Sequence, residues 1–319
     1  DMTPSIARLA AKYYMDANVP IKLCYNANTY VNTSELQGKL KETTQLGCEL
    51  INDNSVEADA EMIALVVESL KASGLTEFLV EIGHVDFYNG LIAESGLDED
   101  AEVELREMIL NKNDFAVEEI LNQNHVTGEV KNAMLKLPEL FGSVDVLNAA
   151  KELTSNKKAL TAIKRLEKLY AILEDYGVSR YISFDLASLS NYGYYTGIIF
   201  KGFTYGTGEQ VAAGGRYDKL LSQFGKNAAA IGFAVYMDQI MIAHSGNIQK
   251  TDYEYEVIVY EPKFRKYAFS LAGDLRNNGI KTELIPKKKE IDIHEYKKFK
   301  IDDGASKVTY VSKDGAVIL

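Results

Sequence analysis

The feature that most limits what this chain can fold into is a change of hydrophobic period near residue 180. From about residue 98 to 178 the sequence is rich in Leu, Glu, Lys and Ala, holds only Pro138, and repeats apolar residues at helical spacing, as in Ile163, Leu166, Leu169, Tyr170 and Leu173. From Arg180 the period becomes two: Tyr181 to Leu186, Gly197 to Tyr205 and Ala229 to Val235 alternate, with glycine-rich turns between them. A helical block followed by such strands predicts an α+β fold, with the helices inserted into a largely antiparallel sheet. Upstream, Asp59 to Leu70 predicts a helix with Met62, Leu65, Val66 and Leu70 on one face, acids at its N-terminal end and Gly74 as its stop. Glu77 to Gly83 then alternates, placing Phe78, Val80 and Ile82 on the buried side of a strand. Downstream, Met237 to Ala243 closes the sheet as a helix, and Ser245-Gly246-Asn247 opens a polar linker toward Tyr253. Glu256 to Tyr260, a helix from about Phe264 to Asn278 ended by Gly279, and a strand from Ile280 to Ile285 form a βαβ opening, with Lys313-Asp314-Gly315 as a later hairpin turn. The chain of 319 residues therefore divides into a domain over 1–246, with the insertion at about 98–178, and a small α/β domain over 254–319.

Charge narrows the partners. Against 46 acidic side chains stand 35 basic ones, a formal charge of −11 that disfavours nucleic acid. The run Pro286-Lys287-Lys288-Lys289-Glu290 is short and reads as a solvated loop. No uncharged apolar stretch reaches bilayer length, and no basic segment followed by an apolar run opens the chain, so neither a membrane span nor a secretory signal is expected. Cys24 and Cys48 have no CxxC spacing and sit in apolar contexts, where small buried thiols are expected; a reducing cytoplasm fits them. His84, His125, His244 and His294 are scattered without ligand spacing, so no metal site is predicted, and His84 reads as a structural cap at a strand end. No nucleotide-binding or hydrolase signature occurs in a supporting context, and no cofactor is implied.

Three segments carry polar residues suited to a ligand. Gln45, Gly47 and Glu49 share one face of an extended strand, and an amide beside a carboxylate suits an ammonium or imidazole; the competing reading is a strand face that meets water. Tyr194-Tyr195-Thr196-Gly197 supplies aromatic walls with hydroxyl tips, or else core tyrosines satisfying their own hydroxyls. Ala213-Gly214-Gly215-Arg216-Tyr217-Asp218 permits close backbone approach, though paired glycines ahead of a helix are common.

Together these segments resemble the catalytic domain of histidyl-tRNA synthetase, and more closely its paralogue family, the regulatory subunits of ATP phosphoribosyltransferase. The likeness runs through Asp1-Met2-Thr3, Lys22 to Tyr25, Gly38 to Leu50, Asp59 to Leu65, Ile82 to Val85, Tyr194 to Phe200, Gly214 to Leu220 and Ile231 to Ala234. It implies a class II synthetase-like antiparallel sheet flanked by helices, with a terminal domain resembling a reduced anticodon-binding fold. It also implies a histidine pocket built from Asp1, Thr3, Gln45, Glu49, Tyr194 and Tyr195, with a Gly214-Gly215 turn and Tyr217 nearby. Gln45 and Glu49 would accept from the ammonium and imidazole, Asp1 would oppose the ammonium, and Tyr195 would bond a ring nitrogen.

Three arginines that the synthetase directs at ATP or at histidine correspond here to Val31, Ser190 and Gln239. None of these can supply a charged fork to a phosphate. The resemblance thus implies a non-catalytic subunit that self-dimerises and assembles with the short-form catalytic subunit for the first step of histidine biosynthesis, with histidine as feedback effector. The chain is expected to lack the family's opening helix and strand, which form the dimer interface. The alternatives are an active histidyl-tRNA synthetase and a synthetase-like sensor of tRNA or an amino acid.

Overall fold

The structure, a computed structural model, describes residues 1–32, 41–188, 193–245 and 255–319. The chain splits into two compact units, Asp1–Asn247 and Ile248–Leu319. The proposed linker from Gly246 to Tyr253 lies outside the described residues, as does Ser190.

The first unit opens with α1 (Thr3–Tyr13) and the long strands β1 (Ile21–Tyr30) and β2 (Glu42–Ile51), followed by α2 (Val56–Ala72), β3 (Phe78–His84) and α3 (Val85–Ser95). Helices α4 (Glu99–Leu110), α5 (Asp114–Gln123), α6 (Gly128–Lys136), α7 (Val146–Glu152) and α8 (Lys157–Asp175) follow, interrupted by the two-residue strand β4 (Phe141–Gly142). Strands β5 (Ile182–Asp185), β6 (Ile198–Thr204), β7 (Ala212–Arg216) and β8 (Ala230–Tyr236) and helix α9 (Met237–His244) complete it. The eight strands form one sheet in the order β1-β2-β8-β7-β6-β3-β5-β4. β3 and β5 pair in parallel, and the other neighbours are antiparallel.

Helices form where capping and periodicity agree. The Ser55 hydroxyl accepts from Ala58 N–H at the start of α2, Glu57 and Asp59 occupy its first turn, and Gly74 ends the segment at φ +91°. Met62, Val66 and Leu70 are buried as expected, but Leu65 is 38% exposed. The buried arc of α2 runs instead through Ile63, Val67 and Asp59, because α8 packs beside it and widens the covered face. On α8, Asn156 accepts from the amides of Lys158 and Ala159, and Ile163, Leu166, Leu169 and Leu173 are fully buried. Fully burying such a side chain contributes about 1.5–3 kcal/mol, so this row is enough to hold α8 against α2 and α3 behind the sheet.

Two expectations are corrected. Gly214-Gly215 is not a turn but the middle of β7. A Cβ at Gly214 would stand 2.5 Å from the Phe200 ring, and one at Gly215 would stand 2.8 Å from Tyr195, so the glycines admit aromatic rings on opposite faces of the sheet. Nor are the cysteines both buried. Cys24 is exposed and Cys48 half-buried, and the β1–β2 register sets them directly opposite, with sulfurs 3.3 Å apart.

In the second unit, β9 (Tyr255–Tyr260), α10 (Arg265–Asn277), β10 (Lys281–Pro286), α11 (Ile293–Asp302), β11 (Lys307–Ser312) and β12 (Gly315–Ile318) build a sheet in the order β10-β9-β11-β12. β9 is parallel to both neighbours, and Val257, Ile258 and Val259 are all fully buried. Val257 and Val259 pack against Ile293 and Tyr296, while Ile258 packs against Ala268 and Ala272, so helices cover both faces of this strand. The expected hairpin at Lys313-Asp314-Gly315 joins β11 and β12.

Candidate functional site

Alternation along the strands places Gln45, Gly47 and Glu49 of β2 on one face of the sheet, and that face is closed to water: Gln45 is 8% exposed and Glu49 1%. The reading of an outer face open to solvent is thereby excluded. β8 lies beside β2 with Glu49 opposite Gly232, and a Cβ at Gly232 would overlap the Glu49 carboxylate. β1 lies on the other side with Tyr25 opposite Gly47, and the Tyr25 ring occupies the space that a Cβ at Gly47 would take. Two glycines thus make room for a carboxylate and a phenol in a sheet that is otherwise tightly packed.

Above Gly232 is a small cavity lined by Asp1, Thr3, Gln45, Tyr194, Tyr195 and Tyr217, with Tyr236 and Ala213 at its edge. No lysine or arginine lines it among the described residues. Its free volume is about 20 Å³, room for one water, so a larger ligand enters only if a wall moves. That wall is thin at the exposed rim, where the Tyr194 hydroxyl donates to Asp1, whose other oxygen accepts from Thr3 N–H at 3.0 Å. Tyr194 stacks at a tilt on Tyr195, with centroids 4.8 Å apart, and meets Tyr217 edge-on at 6.2 Å.

Beneath the cavity, Tyr217 donates to Glu49 Oε2 at 2.5 Å. Glu49 does not itself line the cavity; it lies under Gly232, and its Oε1 has no hydrogen-bond partner. Gln45 Oε1 and the Tyr25 hydroxyl are also buried and unpartnered. Burial pushes the Glu49 carboxyl up to about 7, while the Tyr217 hydroxyl and nearby Thr3 pull the other way. The phenols of Tyr25 and Tyr217 are driven well above their usual range by burial and by the Glu49 charge. Unsatisfied buried acceptors with no cation beside them favour a ligand that brings its own N–H groups and positive charge.

The structure therefore gathers Asp1, Thr3, Gln45, Tyr194, Tyr195 and Tyr217 around one cavity and places Glu49 and Gly215 directly beneath it. Gly214 faces the opposite side, toward Phe200 in the core. Sequence reasoning missed Tyr25, Gly232 and Tyr236. Gly232 carried a signal, a glycine within the apolar strand Ile231-Gly232-Phe233.

Residues 1–240 match the family model described as histidyl-tRNA synthetase. The ATP phosphoribosyltransferase regulatory subunit of Acetivibrio thermocellus is 38% identical over 288 residues, covering 89% of this chain and 68% of that protein. That of Clostridium kluyveri is 39% identical over 300 residues, covering 93% and 77%. The chain belongs to the family of ATP phosphoribosyltransferase regulatory subunits. Among solved structures, an ATP phosphoribosyltransferase regulatory subunit/histidyl-tRNA synthetase from Bacillus halodurans C superimposes with a TM-score of 0.85 at 34% identity, over 97% of this chain and 78% of that one. Histidyl-tRNA synthetase from Nostoc superimposes with a TM-score of 0.82 at 18% identity, over 98% and 75%, a likeness of fold. The class II synthetase-like sheet with its small α/β terminal domain is thus the architecture of this chain.

Proposed function

We propose that this chain is a non-catalytic subunit that binds histidine and governs a short-form ATP phosphoribosyltransferase catalytic subunit, at the first step of histidine biosynthesis in the cytoplasm. The family supports the assignment, and the observation that carries the ligand is a pair of buried, unpartnered acceptors, Gln45 in a cavity lined by no cation among the described residues and Glu49 beneath it. In this reading the ammonium meets Asp1 and Gln45, the imidazole lies along Tyr195 and reaches Glu49 or its Tyr217 hydroxyl, and the Asp1–Tyr194 bond opens to admit the ligand. Residues 254–319 act as a reduced anticodon-binding-like domain, and the subunit pairs with a second copy of itself.

Adenylation calls for cations on the ATP phosphates. Val31 is a half-exposed aliphatic side chain, and Gln239 is engaged by the Thr207 hydroxyl at 2.5 Å, so neither position supplies one. A ligand changes a partner's activity only through unequal affinity for two states of the assembly, and a retained amino-acid pocket supplies that inequality.

The test is co-purification of this chain with the short-form catalytic subunit, then assay of the phosphoribosyl transfer with and without histidine. Activity that requires both chains and falls with histidine is expected. Histidine-dependent ATP–pyrophosphate exchange by this chain alone would instead identify an active synthetase, and retention of tRNA at physiological salt would identify a tRNA sensor.

A further inference from the structure

On the helix-covered side of the sheet is a second cavity, of about 540 Å³, between α8, the start of α3 and the end of β7. Lys158, Arg165 and Lys168 reach it from one stripe of α8, with Lys164 beside them, and Arg216 of β7 stands opposite. In a chain of formal charge −11, this is a concentration of positive charge against the carboxylates of Asp86 and Asp218. Not all of that charge is free. Arg165 and Arg216 both bond Asp59, and Lys158 pairs with Asp86 at 2.9 Å. Lys164 and Lys168 have no carboxylate partner among the described residues, and their spacing of four sets them side by side, about 6 Å apart, on the helix.

The floor of the cavity adds an independent observation. His84 lines it while only 6% exposed. Its Nδ1 accepts from Asp86 N–H at 3.2 Å, the helix cap anticipated from sequence, which assigns the ring proton to Nε2. Burial and the charges of Arg165, Lys158 and Arg216 hold the imidazole neutral, with its pKa pulled down to about 4. Nε2–H is then a fixed donor on a side chain that lines the cationic cavity, with no hydrogen-bond acceptor among the described residues. A solvated helix face has no use for such a donor beneath it.

We propose that this cavity binds a phosphate-bearing small molecule, with Lys164 and Lys168 taking its charge and His84 Nε2–H bonding one of its oxygens. Two adjacent ammonium groups suit a diphosphate better than a single carboxylate, which one lysine would satisfy. The site is separate from the proposed histidine pocket, which lies on the opposite face of the sheet and is lined by no cation among the described residues.

The test is calorimetric titration of the full chain with inorganic pyrophosphate, and separately with inorganic phosphate, at 0.15 M salt, where the Debye length of about 8 Å screens diffuse attraction. Saturable one-to-one binding of pyrophosphate is expected, tighter than that of phosphate. The double variant Lys164→Glu/Lys168→Glu should weaken it at least tenfold with unchanged circular dichroism. The matched reversal Lys288→Glu/Lys289→Glu, in the exposed basic run of the second unit, should change it less than twofold. Absence of saturable binding, or equal loss in both double variants, overturns the proposal. So does duplex RNA that binds more tightly than pyrophosphate and is lost in the same variant, because the face would then be a nucleic-acid surface. Histidine should not compete with pyrophosphate, so failure here leaves the histidine reading standing.

Discussion

Glu49 and Asp59 are two buried carboxylates ten positions apart, and the protein treats them in opposite ways. Asp59, on the buried face of α2, accepts from Arg216 Nε and Nη2 at 2.8 and 2.6 Å through one oxygen and from Arg165 Nε at 2.8 Å through the other. The same guanidiniums also bond the carbonyls of Asp53, Asn54 and Ser55, so the loop before α2 is tied to β7 and α8. Glu49 accepts from the Tyr217 hydroxyl, with Thr3 nearby, and its other oxygen has no hydrogen-bond partner among the described residues. A buried ion group whose lone pairs are filled by the fold is a fastener, whereas one left short of donors has capacity for a ligand.

The comparison breaks first at the fastener. Asp59→Ala takes from Arg165 its carboxylate and leaves the buried Arg216 only its carboxylate contact with half-exposed Asp218, and is expected to cost about 3–5 kcal/mol in urea unfolding. A cost below about 1 kcal/mol would mean that the arginines find other acceptors and that Asp59 is no more a fastener than Glu49 is. The second break is in pH. The Glu49 carboxyl titrates near 7 when folded, against an ordinary 4.5, so the folded state holds its proton more tightly than the unfolded state does. Its contribution to stability is therefore full below pH 4.5 and lost as pH rises through 7, a fall of roughly 3 kcal/mol. Glu49→Gln should remove that slope, leave the fold intact and weaken histidine binding in calorimetry. Histidine, which favours the ionised carboxylate, should bind the native chain more tightly as pH rises toward 7 and displace a proton on binding. An unchanged histidine affinity in Glu49→Gln would place the effector site elsewhere.

A smaller effect is expected at Gly232. Alanine there forces the Glu49 carboxylate aside and meets the Cys48 carbonyl at 2.8 Å. Overpacking of this kind costs about 1–3 kcal/mol, and histidine binding should fall with it. Stability lost with histidine affinity retained would show that the position of Glu49 does not matter to the ligand.

Much of this contrast was invisible before the chains of contact were known. Alternation alone put Gln45 and Glu49 on one face, and glycine at position 47 announced close approach; both survive. Burial of that face depends on β1 and on β8, the latter brought alongside from distant sequence, so the sequence leaves it two-sided. Tyr25 enters only because register sets it opposite Gly47. In sequence Asp59 is only an acid serving a helix dipole, since its partner Arg216 is 157 residues away. Gly214 and Gly215 looked like a turn because glycine pairs have two uses, and only the rings of Phe200 and Tyr195 decide between them. The cationic cavity is not legible in the sequence, where Lys158, Arg165 and Lys168 form the ordinary polar side of an amphipathic helix; only the fold places His84 beneath them.

The smallest expected effect concerns the cations missing, among the described residues, from the lining of the cavity proposed to hold histidine. If charge were all that separates this face from a synthetase, Val31→Arg with Gln239→Arg would create ATP–pyrophosphate exchange. No exchange above background is expected. Val31 is 45% exposed and stands near the end of β1 with its amide bonded to Lys41, so an arginine there costs within about 0.5 kcal/mol and is free to wander. Replacing Gln239 removes the bond from Thr207, a loss of about 1 kcal/mol, and next to it Asp238 is occupied in capping Thr44 N–H at 2.8 Å. A guanidinium catalyses only when held, as Arg216 is held by Asp59, Asp218 and a backbone carbonyl. Neither new arginine would find such a cradle, so charge would return without orientation, and measurable exchange in the double variant would show that the cradle was never dismantled.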